Sequence, residues 1–288
     1  MTTIAVTGST GHLGHLVVES LLRRGVPAID IVALARDLAR ASDLTGLGVT
    51  VRQADYDRPD TLASALAGVD RLLLISGNDL AHRRAQHRTV IDAAKAAGVT
   101  RIAYTSVLGV PHTSNPVAPD HVATEDYLAA SGVPYVALRN GWYSENYLPT
   151  LSTAAATGVV LTSAGDGRVA SAARADYAEA AAVALIAEAP EPAYELSGDV
   201  AWTQDDLAAA IGEVLGRTIT VEQVSPDEHR DRLIAAGVPA GAADFVVGVD
   251  AAVATGDLAL HPGELGALIG RPTTPLLDTL RAGGSGRA

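Results

Sequence analysis

Three regularly spaced glycines near the N-terminus have the clearest chemical meaning in this chain. Gly8, Gly11 and Gly14 follow a short apolar segment typical of a strand and open a segment with helical periodicity. The first glycine of such a loop permits a tight turn, the second lets the backbone approach a pyrophosphate, and the third lets the helix pack on the strand. Unless the loop is purely structural, it predicts dinucleotide binding by Gly8, Thr10, Gly11, His12, Leu13 and Gly14.

The end of the second predicted strand carries Arg36, which indicates the kind of dinucleotide. An acidic residue there would bind the ribose 2′-hydroxyl of NAD, whereas an arginine accommodates the 2′-phosphate of NADP. The guanidinium offers planar, bidentate phosphate recognition, and Arg40 lies four residues further on. Asp37 places a negative charge beside Arg36, and the alternative is a plain surface arginine. We predict NADP(H) in preference to NAD(H).

Composition limits the classes of function that these residues can serve. The chain has 288 residues, 48% of them hydrophobic, with a formal net charge of −12. We expect a globular protein with no nucleic-acid partner, because no dense Lys/Arg tract relieves the negative charge. Cysteine is absent, which excludes disulfides and thiolate metal sites and favours a cytoplasmic location. We expect no metal site, signal peptide or membrane span.

Strand-like and helix-like segments alternate through the first half of the chain. Strands are predicted at 4–7, 29–35, 49–53, 71–75, 101–105 and 135–139. Helices are predicted near 11–24, 61–67, 81–97 and 121–130, and each is followed by a glycine of the type expected just past a helix end, namely Gly25, Gly68, Gly98 and Gly132. This alternation predicts an α/β fold with a doubly wound parallel sheet.

The alternation becomes irregular after about residue 140. A helix is predicted over 176–189, a short strand over 194–196 and another helix over 227–236. Thr203 is predicted to cap a helix, because Asp206 follows three residues later and apolar residues then recur at helical spacing. The Gly/Ser-rich segment 283–288 is predicted to be frayed.

Motifs spread along nearly the whole chain resemble those of one family. The Gly-x-x-Gly-x-x-Gly spacing resembles the short-chain dehydrogenase/reductase superfamily, and the full set is similar to the NmrA-like NAD(P)H:quinone oxidoreductases. The motifs lie at 8–14, 53–56, 72–76, 85–88, 102–106, 138–146, 172–177 and 270–274. The resemblance implies an NADP(H)-binding Rossmann domain over 1–140. Over 141–288 it implies mainly a smaller α+β lobe that covers the substrate, with some segments returning to the Rossmann sheet.

The resemblance also implies further contacts with the cofactor. Asp55 falls where the superfamily contacts adenine, although it alternatively caps the turn before Pro59. The residues after the fourth strand are expected along the ribose–pyrophosphate path. A hydroxyl at the end of the fifth strand is expected near the nicotinamide, although such a hydroxyl also satisfies local backbone groups. The implied contacts are Asp55, Tyr56, Ser76, Gly77, Thr105 and Ser106.

The proton-donating pair of the best-known branch of that superfamily is missing. That branch uses Tyr-x-x-x-Lys, in which the lysine lowers the pKa of the tyrosine. Here Lys95 is the only lysine, and no tyrosine precedes it by four residues. By resemblance to extended members of the superfamily, Val117 takes the tyrosine-like place and His121 the lysine-like place. His121 is predicted to bind the nicotinamide ribose or a substrate oxygen, or alternatively to cap a helix.

The segment after the sixth predicted strand, 140–146, lies at the carboxyl edge where ligands bind in open α/β sheets. Aromatic rings there can stack on a flat substrate, and Asn140 or Tyr143 can donate to a substrate oxygen. The alternative is a packed aromatic corner, with Trp142 as the residue that suits a core best.

The resemblance, supported by the missing Tyr-x-x-x-Lys pair, implies an NADPH-dependent reductase that transfers hydride to a quinone or a similar planar electrophile. Tyr143, Asn140 and His121 are the predicted catalytic residues, because they could stabilise a developing oxyanion. Two alternatives are a non-catalytic NADP(H)-sensing regulatory protein and a reductase of a carbonyl or imine metabolite. We expect a small-molecule substrate, no nucleic-acid or membrane partner, and a homodimer as a possible assembly. The unusual segment 109–119 is expected to line the site.

Overall fold

The structure is a computed structural model that describes residues 2–285, with the backbone alone at Ser285. Its strands, numbered in chain order, are β1 (Ile4–Val6), β2 (Ile31–Ala35), β3 (Thr50–Gln53), β4 (Arg71–Leu74), β5 (Arg101–Val107), β6 (Tyr135–Asn140), β7 (Val159–Thr162), β8 (Ala193–Leu196) and β9 (Thr220–Gln223). The helices of the first part are α1 (His12–Arg23), α2 (Ser42–Gly46), α3 (Pro59–Ala65), α4 (Arg83–Ala96) and α5 (Ala118–Ser131). Those of the second part are α6 (Leu148–Thr157), α7 (Arg174–Ile186), α8 (Gln204–Leu215), α9 (Pro226–Ala235), α10 (Ala240–Ala254), α11 (Glu264–Ile269) and α12 (Leu276–Ser285).

Seven strands form one sheet in the order β3-β2-β1-β4-β5-β6-β8. All neighbours from β3 to β6 pair in parallel. The chain builds outward from β1 to β3 and then crosses to β4 on the other side of β1, so the order reverses between β1 and β4. Ligands of doubly wound folds bind at the carboxyl ends of the strands at such a reversal. The predicted doubly wound Rossmann sheet is therefore confirmed.

The sheet core explains why the strands are continuous apolar runs. Every residue of β1 and β2 is buried, as expected when helices cover both faces of a parallel sheet. Side chains of helices and strands join in one cluster that includes Leu34, Leu62, Leu72, Ile91, Ile102, Tyr104 and Leu128. Burial of such side chains contributes about 1.5–3 kcal/mol each to folding. This packing holds the carboxyl ends of the strands, where the site is expected, in fixed positions.

The chain divides into two compact units. Unit 1 comprises Met1–Val107, Pro119–Asn140 and Arg174–Glu195, and unit 2 comprises Leu108–Ala118, Gly141–Ala173 and Leu196–Ala288. Helix α7 thus belongs to unit 1, where it packs against α1 and where Arg24 forms an ion pair with Glu179 at 2.7 Å. The chain thus returns to unit 1 at Arg174–Glu195. The contact between α7 and α1 covers apolar surface of unit 1.

Unit 2 has its own core and its own small sheet. Strands β7 and β9 pair in parallel, and the core around them includes Val160, Trp202, Leu207, Ile211 and Val253. Helix α8 begins as predicted, because Thr203 accepts from the Asp206 N–H while the Asp206 carboxylate accepts from the Thr203 N–H. None of the helices within 2–285 combines the length and apolar character needed to cross a bilayer.

Some boundaries differ from the sequence-based expectations. Residues 28–30 form a 3₁₀ turn rather than the start of β2, and Ile29 there is 78% exposed. The segment 283–285 continues α12 instead of fraying, because this helix packs against α8 and α6. Residues 286–288 of the predicted frayed segment lie outside the described range. The glycines predicted just past four helices all have the expected positive φ: Gly25, Gly68, Gly98 and Gly132.

Candidate active site

The glycine loop is a tight turn locked against the first helix. Gly8 has φ +57° and its carbonyl accepts from the Gly11 N–H at 2.9 Å. A Cβ on Gly14 would lie 2.3 Å from the Gly8 oxygen, so only glycine fits there. The Ser9 N–H and hydroxyl both donate to the Leu34 carbonyl, at 3.2 and 2.9 Å, which joins the turn to the neighbouring strand β2. The turn therefore has one fixed shape.

The N-terminus of α1 fits an anion. Its cap residue is Gly11, which offers no side-chain acceptor, and the first turn carries no acidic residue. The first N–H groups of a helix lack partners within it, and the helix dipole favours negative charge at that end. Gly8, Gly11 and His12 are exposed, Thr10 is half-buried, and Leu13 and Gly14 are buried, so Leu13 can contact a bound phosphate only through its backbone. This arrangement fits the diphosphate of a dinucleotide.

Arg36 lies exposed just past the carboxyl end of β2, the strand to which the glycine turn is bonded. Its carbonyl accepts from Gln53 Nε2 at 3.2 Å, which holds the backbone and leaves the guanidinium accessible. Asp37, the negative charge beside Arg36, caps a 3₁₀ turn by accepting from the Ala39 N–H at 3.0 Å. This contact fixes the position of the carboxylate but leaves its charge, so the case for a phosphate rests on the accessible guanidinium of Arg36.

The two residues predicted to contact adenine have identifiable local roles. The Asp55 carboxylate accepts from the Asp57 N–H at 3.1 Å, so it does cap the turn before Pro59. The Tyr56 hydroxyl donates to the Ile75 carbonyl at 3.0 Å, and burial raises the pKa of this phenol far above its usual range. Tyr56 thus supports the segment that follows β4.

Side chains from three elements bind the backbone that follows β4. The N–H groups of Ile75 and Ser76 donate to the hydroxyls of Thr7 and Thr105, each at 2.8 Å. The next N–H, that of Gly77, donates to Nε2 of a histidine in α4, at 3.0 Å. The structure therefore brings the glycine turn, Ser76, Gly77 and Thr105 together at the sheet reversal, although the Thr105 hydroxyl is engaged with backbone rather than pointing freely outward.

His121, the predicted lysine-like residue, is buried. His121 is 5% exposed, and its Nδ1 lies 2.7 Å from the hydroxyl of the fully buried Tyr104. Burial, reinforced by the charge of Arg83, lowers the pKa of His121 to about 3, so the imidazole is neutral. It lies in the interior of α5 rather than at its first residue. This geometry favours support of β5 over direct contact with a substrate.

The Ser106 hydroxyl belongs to a partly buried charge network that was not predicted from the sequence. It donates to Glu125 at 2.5 Å, and Arg139 donates to the other oxygen of the same carboxylate at 2.7 Å and to Glu195 at 2.8 Å. These carboxylates raise the pKa of Arg139 still further. The network joins β5, α5, β6 and β8, and the strand-end hydroxyl is thus engaged in the sheet. The only signal in the sequence was the unusual pair of charges within apolar strands.

Asn140 and Tyr143 fall in different units. Asn140 ends β6 in unit 1 and is 6% exposed. Tyr143 is half-buried in unit 2, where its backbone forms a parallel bridge with Ala172. Trp142 packs against the core of unit 2, as the sequence analysis predicted. Direct contact of Asn140 and Tyr143 with a substrate remains a prediction.

Comparison with known proteins agrees with a nucleotide-binding site. A protein family described as NAD(P)H-binding matches residues 8–188. Quinone oxidoreductase 2 of Escherichia coli K12 is 48% identical over 279 residues, which cover 96% of this chain and 97% of that protein. A solved structure of an E. coli NADPH-dependent quinone oxidoreductase complexed with NADPH matches with a TM-score of 0.94 at 47% identity, over 97% of this chain and 99% of that one.

Two further relatives cover nearly the whole chain. The Citrobacter sp. triphenylmethane reductase complexed with NADP(H) matches with a TM-score of 0.92 at 38% identity, over 98% of this chain and 100% of that one. An NmrA-like family domain-containing oxidoreductase of Aspergillus flavus is 32% identical, over 96% of this chain and 93% of that protein. The chain therefore belongs to the NAD(P)H-binding family, and it is an NmrA-like oxidoreductase.

Proposed function

We propose that the chain is an NADPH-dependent reductase that transfers a hydride to a quinone or a similar planar electrophile. The observation that carries this proposal is the full-length identity with the E. coli quinone oxidoreductase, which leaves no large part of either chain unmatched. The glycine turn, the uncapped start of α1 and Arg36 are the features of the chain that fit such a cofactor.

The roles in cofactor binding follow from these features. The first N–H groups of α1 would bind the diphosphate, with Gly8, Gly11 and Gly14 giving the backbone its close approach. Arg36 would bind the 2′-phosphate and so favour NADPH over NADH. The residues after β4 would lie along the ribose next to the nicotinamide. When bound, NADPH supplies the hydride from C4 of its nicotinamide ring.

A quinone suits a site that lacks the Tyr-x-x-x-Lys pair. Hydride addition to a quinone gives an aromatic hydroquinone anion, so positioning the acceptor beside the donor supplies much of the rate with little demand for an acid. We propose that Tyr143 and Asn140 donate hydrogen bonds to the developing oxyanion. For His121, burial against Tyr104 supports an indirect role, in which it keeps the end of β5 in place.

The acceptor class extends beyond quinones in this proposal. A relative of similar structural likeness is named a triphenylmethane reductase. A triphenylmethane dye shares with quinones an electron-poor carbon within a conjugated system, which accepts hydride. A carbonyl lacks this aromatic driving force and would need a proton donor at its oxygen. We therefore place planar electrophiles ahead of simple ketones. The cytoplasm as location and a homodimer as assembly remain predictions.

The test is the oxidation of NADPH and of NADH, followed by absorbance, with and without a simple quinone at several enzyme concentrations. We expect quinone-dependent oxidation that is proportional to enzyme and faster with NADPH. Tight NADPH binding without turnover on quinones, triphenylmethane dyes or carbonyl compounds would contradict the proposal and favour a regulatory sensor of NADP(H).

A further inference from the structure

Both backbone polar groups of Gly77 are bound by side chains of α4. Its N–H donates to Nε2 of His87 at 3.0 Å, and its carbonyl accepts from Nε of Arg83 at 2.6 Å. A Cβ on Gly77 would lie 2.9 Å from the side-chain oxygen of Gln86, so the backbone of Gly77 lies directly against α4. We call Arg83 and His87, bound to Gly77 in this way, the Gly77 clamp.

The hydrogen bonds around His87 determine its tautomer. The Thr124 hydroxyl donates to the Asp120 carbonyl at 2.8 Å, so its oxygen must accept from His87 Nδ1, which lies 2.9 Å away. Nδ1 therefore carries the proton, and Nε2 is free to accept from Gly77. A protonated imidazole has no acceptor, so this contact requires a neutral His87.

Burial and charge keep His87 in that neutral form. The side chain is fully buried, and desolvation, followed by the charge of Arg83, lowers its pKa to about 4. Arg83 is itself 6% exposed, and its Nη1 lies 3.8 Å from the Asp120 carboxylate. Arg83 therefore acts twice, since it donates to the Gly77 carbonyl and disfavours a second positive charge on the neighbouring imidazole.

The position of Gly77 gives this arrangement a consequence for the cofactor. The preceding two N–H groups are bound by Thr7 and Thr105 at the carboxyl ends of β1 and β5, but Gly77 lies beyond the reach of the sheet. The clamp is thus what fixes the last residue of this segment. A ligand that needs one loop conformation binds less tightly in proportion to the fraction of molecules that lack it.

We propose that Arg83 and His87 are positioning residues for NADPH. They act through the backbone N–H and C=O of Gly77 and hold the segment that would bind the ribose next to the nicotinamide. The inference rests on the proposed function only in that this segment lies along the cofactor. Both side chains are buried and bind the backbone of Gly77, so loss of the clamp affects NADPH affinity more than the rate at saturating NADPH.

The experiment measures the Kd of NADPH directly by fluorescence titration, together with kcat at saturating NADPH. His87→Leu removes the acceptor at nearly constant volume, and we expect its Kd to rise about tenfold while kcat stays within about twofold. In His87→Gln, the amide oxygen can accept from the Gly77 N–H, so we expect Kd to return to within about twofold of the wild-type value. Thr124→Val removes only the hydroxyl that orients the imidazole, and should have an intermediate Kd.

His229→Leu is the matched control. His229 is also a buried histidine, 3% exposed, but it lies in unit 2, where it contacts Ser163 and Asp250. We expect this variant to lower thermal stability and leave the Kd of NADPH unchanged. A purely structural role for His87 would make the two leucine variants alike. Should His87→Leu not fold, Arg83→Lys, which keeps the charge but loses the Nε donor, provides the same comparison.

The proposed positioning role is refuted if His87→Leu binds NADPH as tightly as the wild type, or if His87→Gln binds NADPH as weakly as His87→Leu. These results are distinguishable from failure of the proposed function, because direct titration needs no acceptor. A wild-type chain that binds NADPH but reduces no quinone would overturn the proposed reaction but not the positioning role of Arg83 and His87.

Discussion

Replacing Gly14 by alanine tests whether the glycine turn is the dinucleotide site. The new Cβ would lie 2.3 Å from the Gly8 oxygen and 2.8 Å from both the Gly8 carbonyl carbon and the Ser9 Cα. All three are backbone atoms, so the turn and α1 must separate by about 1 Å to reach ordinary contact. Such overpacking costs about 1–3 kcal/mol, against which alanine gains at most about 1 kcal/mol of helix propensity.

The expected result is a large loss of NADPH affinity. If displacement of the turn costs about 1–3 kcal/mol of binding free energy, the Kd of NADPH rises about 5- to 150-fold. Gly241→Ala in α10 is the matched control, because a Cβ there meets nothing within 4 Å. It should leave the Kd unchanged and slightly raise thermal stability. A Gly14→Ala variant that binds NADPH with the wild-type Kd in fluorescence titration would refute the assignment of the turn.

Three further predictions concern selectivity, chemistry and pH. Arg36→Ala should raise the Kd of NADPH about tenfold or more and leave that of NADH unchanged in the same titration; equal losses would contradict a 2′-phosphate contact. Tyr143→Phe and Asn140→Ala should each lower kcat with a quinone about tenfold or more, with NADPH binding intact; a parallel loss of NADPH binding would argue against contact with the substrate. The folded-state pKa values of His87 and His121, about 4 and about 3, lie below the usual 6.5 because both imidazoles are buried. The unfolded chain therefore binds more protons, and the stability due to each neutral imidazole is full above pH 6.5 and falls by about 2 kcal/mol between pH 6.5 and 5. His87→Gln and His121→Gln should each flatten the decline of Tm over that range, and an unchanged slope would contradict neutral burial.

The nucleotide-binding half was predictable because its signals are local. The glycine spacing, the apolar strands and the glycines just past the helices are each set by neighbouring residues, and the sheet order then follows from parallel crossovers. Unit 2 was less predictable. Helix α10, Ala240–Ala254, is rich in Ala, Gly and Val on all sides, so helical periodicity is weak.

Within the site, the sequence indicated where hydroxyls and histidines lie but not what they bind. Thr105 is predicted to lie near the nicotinamide or to satisfy local backbone groups, and its hydroxyl accepts from a backbone N–H of the segment after β4. The role of His87 depends on the fold bringing α4 back over the end of β4, a contact between residues ten apart. The spacing of Arg83 and His87, four residues apart on one helix face, was the available signal.

The most direct test of the central claim is a single-turnover reaction between the NADPH-bound protein and a quinone, with NADPH deuterated at the transferred position of C4. We predict one hydroquinone formed per NADPH consumed, deuterium leaving the cofactor, and a slower reaction than with unlabelled NADPH. Retention of the deuterium on the cofactor, or no quinone reduction by a protein with bound NADPH, would contradict direct hydride transfer.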